Sequence, residues 1–209
     1  MTARSGSHAA IVHVAIVLAA GGSRRLGHAK QLLKRDGETL VHRAVRLALA
    51  THPLRTLLVT GGHGDAIRDA VADLSVEIIF NAAWEEGLAS SLRAAALALD
   101  GNPAHCLILG CDQPALQLLH LQALLEGAFS SNSGCAATKH GEARGIPVVV
   151  SAGMFADEAR ELSGDRGLRA ALQRLPRDSL HLLEASELQF DLDTPADVQH
   201  AIEAGWIDR

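Results

Sequence analysis

Residues 12–19 form an almost unbroken apolar run that passes straight into a glycine-rich, cationic loop at residues 20–30. A short run of this kind, apolar toward both faces, is what a strand needs when helices cover a parallel sheet on each side. The theme recurs along the chain. Residues 56–60, 76–80, 106–110, 135–138 and 146–150 read as further strands, as do 180–183 and 188–192, with a polar loop over 139–145. Between them, apolar residues return at helical spacing in 39–50, where Leu40, Val41, Ala44, Val45, Leu47 and Ala48 mark one face.

Other helix signals are local. Asp65 is expected to cap a helix to Ala72, and Ser90 or Ser91 to open an alanine-rich helix to Leu99. Pro114 suits the first turn of the next helix, and Pro195 that of the last, to Ala204. Ser163 or Asp165 is expected to cap a helix to Leu175. Strands alternating with helices imply an α/β fold, a single-domain Rossmann-like three-layer sandwich with a mainly parallel sheet. Residues 11–209 read as that one domain and residues 1–10 as a flexible tail.

Composition narrows the function. With 48% apolar residues there is material for a buried core, and 21% charged residues do not make a disordered chain. A formal net charge of −5 supplies no basic field for a polyanion, so nucleic acid is not an expected partner. The apolar stretch 11–20 is too short to cross a bilayer and lacks the flanks of a secretory leader, which points to a cytoplasmic protein without a membrane partner. Cys106, Cys111 and Cys135 match no zinc or redox spacing and read as reduced core thiols. The eleven histidines include no His-x-x-x-His pair.

In open α/β sheets, ligands bind beyond the carboxyl ends of the strands. The residues there are Leu18, Ala19, Ala20, Gly21, Gly22 and Ser23, leading to Arg24, Arg25, Gly27 and Lys30. The glycines let the backbone approach a ligand, and exposed N–H groups can cradle phosphate oxygens. Arg24, Arg25 and Lys30 add three positive charges. The pattern is neither a Walker loop, since His28 follows Gly27, nor a Gly-x-Gly-x-x-Gly fingerprint.

Asp112 follows the strand 106–110 and faces the same rim; it suits either magnesium or the start of a helix before Pro114. Asp191 and Asp193 alternate along an extended stretch and so are expected to point the same way. Asp193 or Thr194 could instead cap the helix begun by Pro195. Trp84 reads as core packing, because large aromatics are mostly buried.

Taken together these motifs resemble the molybdenum-cofactor nucleotidyltransferases, the cytidylyltransferase branch more than the guanylyltransferase branch. The resemblance runs from Ile16 to about Ile202. Leu18 through Lys30 is similar to the family's Leu-Ala-Ala-Gly-x-Ser-x-Arg-x-Gly-x-x-Lys, with Leu26 where Met is usual; guanylyltransferases have Gly where Ala20 stands. The stretch from Asn81 to Leu92 resembles the family's nucleotide-base loop, and Leu109 to Pro114 its metal motif, with Cys111 set before the aspartate. Gly145-Ile146-Pro147, the segment Ser163 to Arg169, and Asp191 to Pro195 complete the series.

The resemblance implies a fold of the nucleotide-diphospho-sugar transferase type and transfer of CMP from CTP to a molybdopterin-type acceptor. It implies that Arg25 and Lys30 hold the triphosphate, and that Asp112 and Asp193 coordinate Mg2+. Residues 18–23, with Gly87 and Ser91, would border the nucleotide. Gly145, Pro147, Asp165 and Arg169 would meet the acceptor, although Arg144, Asp165, Arg166 and Arg169 suit a solvated surface nearly as well. The product would pass to a molybdoenzyme or its chaperone. GTP as donor, a sugar or polyol phosphate as acceptor, and a non-catalytic cofactor carrier are the alternatives.

Overall fold

The computed structural model describes residues 11–99, 103–141, 143–176 and 178–209. The tail expected at residues 1–10 lies outside them. In chain order the elements are β1 (His13–Leu18), β2 (Lys34–Arg35), β3 (Glu38–Thr39), α1 (Leu40–Leu49), β4 (Arg55–Thr60), α2 (Gly64–Ala70), β5 (Glu77–Phe80) and α3 (Leu88–Leu97). There follow β6 (His105–Gly110), α4 (Leu118–Ser130), β7 (Ala136–His140), β8 (Ala143–Ser151), α5 (Ala152–Glu161), α6 (Arg169–Arg174), β9 (His181–Leu183) and α7 (Pro195–Glu203).

Seven strands form one sheet in the order β5-β4-β1-β6-β8-β7-β9, with β2 and β3 as a separate hairpin. β1 pairs in parallel with β4 and β6, β4 with β5, and β7 with β9, while β8 is antiparallel to both β6 and β7. The sheet is therefore mainly parallel, and β8 alone runs against it. Alternate residues of each strand feed two cores. Ala15, Val17, Leu58, Leu107 and Leu109 pack under α1, α2 and α4, while Val14, Ile16, Leu57, Cys106 and Ile108 pack under α3, α5 and α6. Each fully buried Leu, Ile or Val contributes about 1.5–3 kcal/mol, so the central strands anchor the layered sandwich.

Several local expectations are corrected. Residues 188–192 are not a strand: a 3₁₀ turn, Ser186–Gln189, takes their place, and Leu188 and Leu192 are buried as separate plugs rather than in a ladder. The Leu192 N–H donates to Asp112 O at 3.0 Å, which ties this segment to the end of β6. Asp65 is not a cap but sits in the first turn of α2, 3.2 Å from Arg68. α3 begins at Leu88, before both serines, because Gly87 (φ 100°) turns the chain into the helix and leaves Ser90 and Ser91 facing inward. α4 begins at Leu118, where the Gln117 N–H donates to His120 Nδ1 at 3.2 Å; Pro114 stays in the preceding turn.

Likewise α6 begins at Arg169 with no side-chain cap, so Ser163 and Asp165 belong to the loop before it. The polar stretch 139–145 is mostly strand, because β7 and β8 continue their pairing out to His140 and Ala143. Thr39 caps α1, its hydroxyl accepting from the His42 N–H at 3.3 Å. Thr194 caps α7, accepting from the Asp197 N–H at 3.3 Å, which leaves the Asp193 carboxylate for other partners. Cys106, Cys111 and Cys135 are buried and unbridged, and burial pushes the Cys106 thiol up to about 12. No described helix is long and apolar enough to cross a membrane.

Candidate functional site

The loop after β1 is held open by one buried side chain. Gln31 Nε2 donates to Ala19 O at 3.1 Å and to Gly21 O at 2.7 Å. Ser23, at φ 48°, donates from Oγ to Gln31 Oε1 at 3.2 Å and accepts the Lys30 N–H at 3.1 Å. Gln31 thus staples the glycine loop from beneath. Nothing in the motif marked it, although a buried polar residue straight after a phosphate-type loop is a legible hint. The loop leaves the Lys30 side chain half enclosed and aimed across the carboxyl ends of β1 and β6.

Lys30 Nζ donates to Asp112 Oδ2 and Asp193 Oδ1, each at 2.7 Å, and Arg25 Nη2 donates to Asp193 Oδ2 at 2.8 Å. Burial opposes the Lys30 charge, but the two carboxylates outweigh it and hold the ammonium well above its usual range. For Asp193, burial again opposes the charge, and Lys30 and Arg25 bring its carboxyl below the ordinary value. Asp112 is bound to Lys30, six residues ahead of α4, so the helix-start reading of this aspartate fails.

Hard oxygen donors from Asp112 and Asp193 converge on one positive centre. Two carboxylates completed by phosphate oxygens and water are what magnesium takes, so these residues fit a divalent ion. Among the described residues no three His, Cys, Asp or Glu side chains gather as a metal cage, so phosphate and water would supply the remaining ligands.

These groups open into a cavity of ≈ 660 Å³. Leu18, Ala20, Gly21, Gly22 and Ser23 line one wall, with Arg25 and Lys30. Gly87 and Ser91 line another, and Asp112 and Asp193 the floor. Ala19 does not line the cavity: it is buried behind the loop, and its carbonyl accepts from Gln31.

Trp84 is not core. It is half-buried and lines the cavity, and its ring lies so close to the loop that a Cβ at Gly22 would stand 2.5 Å from it. Gly61 and Gly62 clear space for the same ring. The Arg24 guanidinium sits 5.6 Å from the ring centroid and donates to Glu85 at 3.0 Å, closing one edge of the cavity. The cavity-lining side of Trp84 escaped the sequence because it depends on the tertiary approach of three glycines.

A second cavity of ≈ 320 Å³ shares Leu18, Leu88, Ile146 and Asp165 with the first. Gly145 and Arg169 line it, with His140 and Arg144. Asp165 stands at the seam, its Oδ1 2.4 Å from where a Cβ at Gly87 would be. Pro147 lines neither cavity; it is buried and its carbonyl accepts from Thr138 Oγ1 at 2.8 Å, while Ile146 beside it provides the wall.

Asp191 lines this second cavity and Asp193 the first, so the two do not point into one site. With no ladder over 191–193, no regular pleat enforces the expected alternation. Loss of hydration among the surrounding groups, with the Asp112 charge next, pushes the Asp191 carboxyl up to about 7. Gln113, which sequence reasoning passed over, braces the floor: its Nε2 donates to Ile146 O at 3.1 Å and Leu188 O at 2.8 Å.

Comparison with known proteins identifies the family and the fold. The sequence pattern of the MobA-like NTP transferase domain matches residues 15–180. The nicotine blue oxidoreductase of Paenarthrobacter nicotinovorans is 30% identical over 77% of this chain and 81% of its own. The molybdenum cofactor cytidylyltransferase of Escherichia coli is 29% identical over 87% of this chain and 91% of its own. A manganese complex of Rv0371C from Mycobacterium tuberculosis shares the fold, with a TM-score of 0.74 at 23% identity over 92% of this chain and 99% of that one.

Proposed function

The chain belongs to the MobA-like NTP transferase domain family, a family of nucleotidyltransferases, and from that premise we propose that it moves CMP from CTP to the terminal phosphate of molybdenum-bound molybdopterin. One observation carries the reading: Lys30 bridges Asp112 and Asp193 in the larger of two adjoining cavities, which offers a place for each of two substrates. The cytidylyltransferase relative and Ala20 in the loop support the choice of CTP over GTP.

The reaction needs no protein nucleophile. An oxygen of the acceptor's terminal phosphate forms a bond to the α-phosphorus of CTP, the bond from that phosphorus to the bridging oxygen breaks, and pyrophosphate leaves. The protein positions the two phosphates in line and neutralises charge. Loop N–H groups of residues 20–23 receive phosphate oxygens. Arg25 and Lys30 lie where they can exchange part of their carboxylate contact for the leaving pyrophosphate. Gly145, Asp165 and Arg169 bound the acceptor side. Asp112 and Asp193 would hold the divalent ion, magnesium in this reading, whose chemistry when bound is to neutralise phosphate charge. The setting is the cytoplasm, with a molybdoenzyme or its chaperone receiving the product.

The test is pyrophosphate release with magnesium and the molybdenum-loaded acceptor, using CTP, GTP, ATP or UTP separately. Release with CTP supports the reading in full. Release with GTP alone keeps the chemistry and moves the base. No release from folded protein that still binds a triphosphate overturns the acceptor, and sugar or polyol phosphates are tried next.

A further inference from the structure

We propose that Asn81 is a positioning residue for base selection, acting by fixing which way the Ser91 hydroxyl presents itself to a bound nucleotide. The inference rests on the nucleotide reading of the larger cavity.

Asn81 follows β5 and is only 5% exposed. Its Oδ1 accepts the Ala83 N–H at 3.0 Å, which assigns the two ends of the amide. Its Nδ2 therefore carries two hydrogens toward two serines, donating to Ser90 Oγ at 2.8 Å and Ser91 Oγ at 3.1 Å. Ser90 passes its own hydrogen to Gly87 O at 2.8 Å, so that branch is complete. The Ser91 branch is not. Its oxygen already accepts from Asn81, and its hydrogen has no acceptor among the described residues, although Ser91 is only 5% exposed and lines the cavity.

A buried donor left without an acceptor is unfavourable, so the site is completed by a ligand atom that accepts. The place of Ser91 says which part of a nucleotide supplies it. Lys30 and Asp112 stand over the ends of β1 and β6, where a triphosphate would lie. Ser91 is in the first turns of α3, which follows β5 at the edge of the sheet. The base end of the ligand lies on that side. Ser91 would meet a carbonyl oxygen or an unprotonated ring nitrogen of the base, with the α3 N-terminus favouring the same negative partial charge. A base presenting only N–H groups there leaves the hydroxyl hydrogen without a partner and is selected against.

The experiment measures dissociation constants of CTP, GTP, UTP and ATP, with magnesium, for the wild type, Ser91→Ala, Asn81→Asp and the double variant. Aspartate at 81 accepts from Ser91, turning its hydrogen away from the ligand. The four triphosphates carry equal charge, so the ratio between the preferred nucleotide and the others isolates the base from the new negative charge. Each single variant is expected to cut that ratio about ten-fold, and the double variant to match Asn81→Asp alone. Tripolyphosphate should bind Ser91→Ala as it binds the wild type.

An unchanged ratio in Ser91→Ala, or additive losses of about a hundred-fold in the double variant, would overturn the inference. If Asn81→Asp does not fold, Asn81→Ala enters the same cycle. A wild type that binds none of the four triphosphates defeats the nucleotide reading itself.

Discussion

The Glu38 cluster and the Lys30 cluster are assembled from similar groups. Around Glu38, Arg46 donates two bonds of 2.7 Å, His42 Nδ1 lies at 2.6 Å, and the other His42 nitrogen is 3.1 Å from Asp73. The carboxylate is enclosed by matched donors and lines neither cavity. Around Lys30, one ammonium and one guanidinium share two carboxylates, and all of these groups border open space. The first arrangement is closed and serves the fold. The second keeps its pairings open to exchange at a cavity, where the proposed reaction brings phosphates and a divalent ion. Charge density alone does not mark a site; what marks it is charge paired within reach of a cavity.

Breaking the pairings should separate the two. Asp112→Asn is expected to lower turnover about a thousand-fold while circular dichroism stays unchanged, since it removes charge where the phosphates react. Near-normal turnover would place the metal elsewhere. Lys30→Met should cost about a hundred-fold in kcat/KM. Its removal leaves Asp112 without its ammonium partner and Asp193 with Arg25 alone, so weaker nucleotide binding should accompany the kinetic loss in calorimetry. Gly22→Ala sharpens the contrast from the backbone side. Its methyl would overlap the Trp84 ring and push the loop outward, raising KM for the nucleotide several-fold with about 1–3 kcal/mol of destabilisation.

Glu38→Gln should do the reverse, lowering stability by about 1 kcal/mol after screening and leaving turnover intact. Arg46, foremost, holds the Glu38 carboxyl down from its ordinary 4.5 to about 2. The stabilisation is therefore present above pH 4.5 and is lost as pH falls toward 2. His42 runs the other way. Burial opposes its charge, but the hydrogen bonds to Glu38 and Asp73 raise its value above 6.5. Its contribution is present below pH 6.5 and fades as pH rises through the raised value. Urea titrations across both windows, with His42→Asn as control, should resolve the two slopes.

Much of this was readable from the chain because one-dimensional pattern and three-dimensional cause coincide there. The run 12–19 became β1, beside the central β6, because nothing but a doubly covered strand can hide it, and the cations after it had to fall at its carboxyl end. What escaped reading depends on partners distant in sequence. Thr194 rather than Asp193 caps α7, and that choice is settled by Lys30 and Arg25, far earlier in the chain. Residues 188–192 carry strand-like leucines but meet no neighbouring edge. Gln31, Trp84 and Gln113 act through backbone carbonyls or glycine clearances, which leave no spacing rule behind.

β8 enters the molecule backwards, and that reversal brings its first residues to the wall of the second cavity. After β4, β5 and β6 the chain leaves the ligand rim toward a helix, so those loops must also lead into α2, α3 and α4. β8 starts at the rim instead, through a two-stranded hairpin that owes nothing to a following helix. The wall around Gly145 and Ile146 can therefore change length and chemistry without disturbing the loop of Arg25 and Lys30. On the proposed assignment of donor and acceptor to the two cavities, such a scaffold can exchange the molecule it modifies while keeping the one it spends.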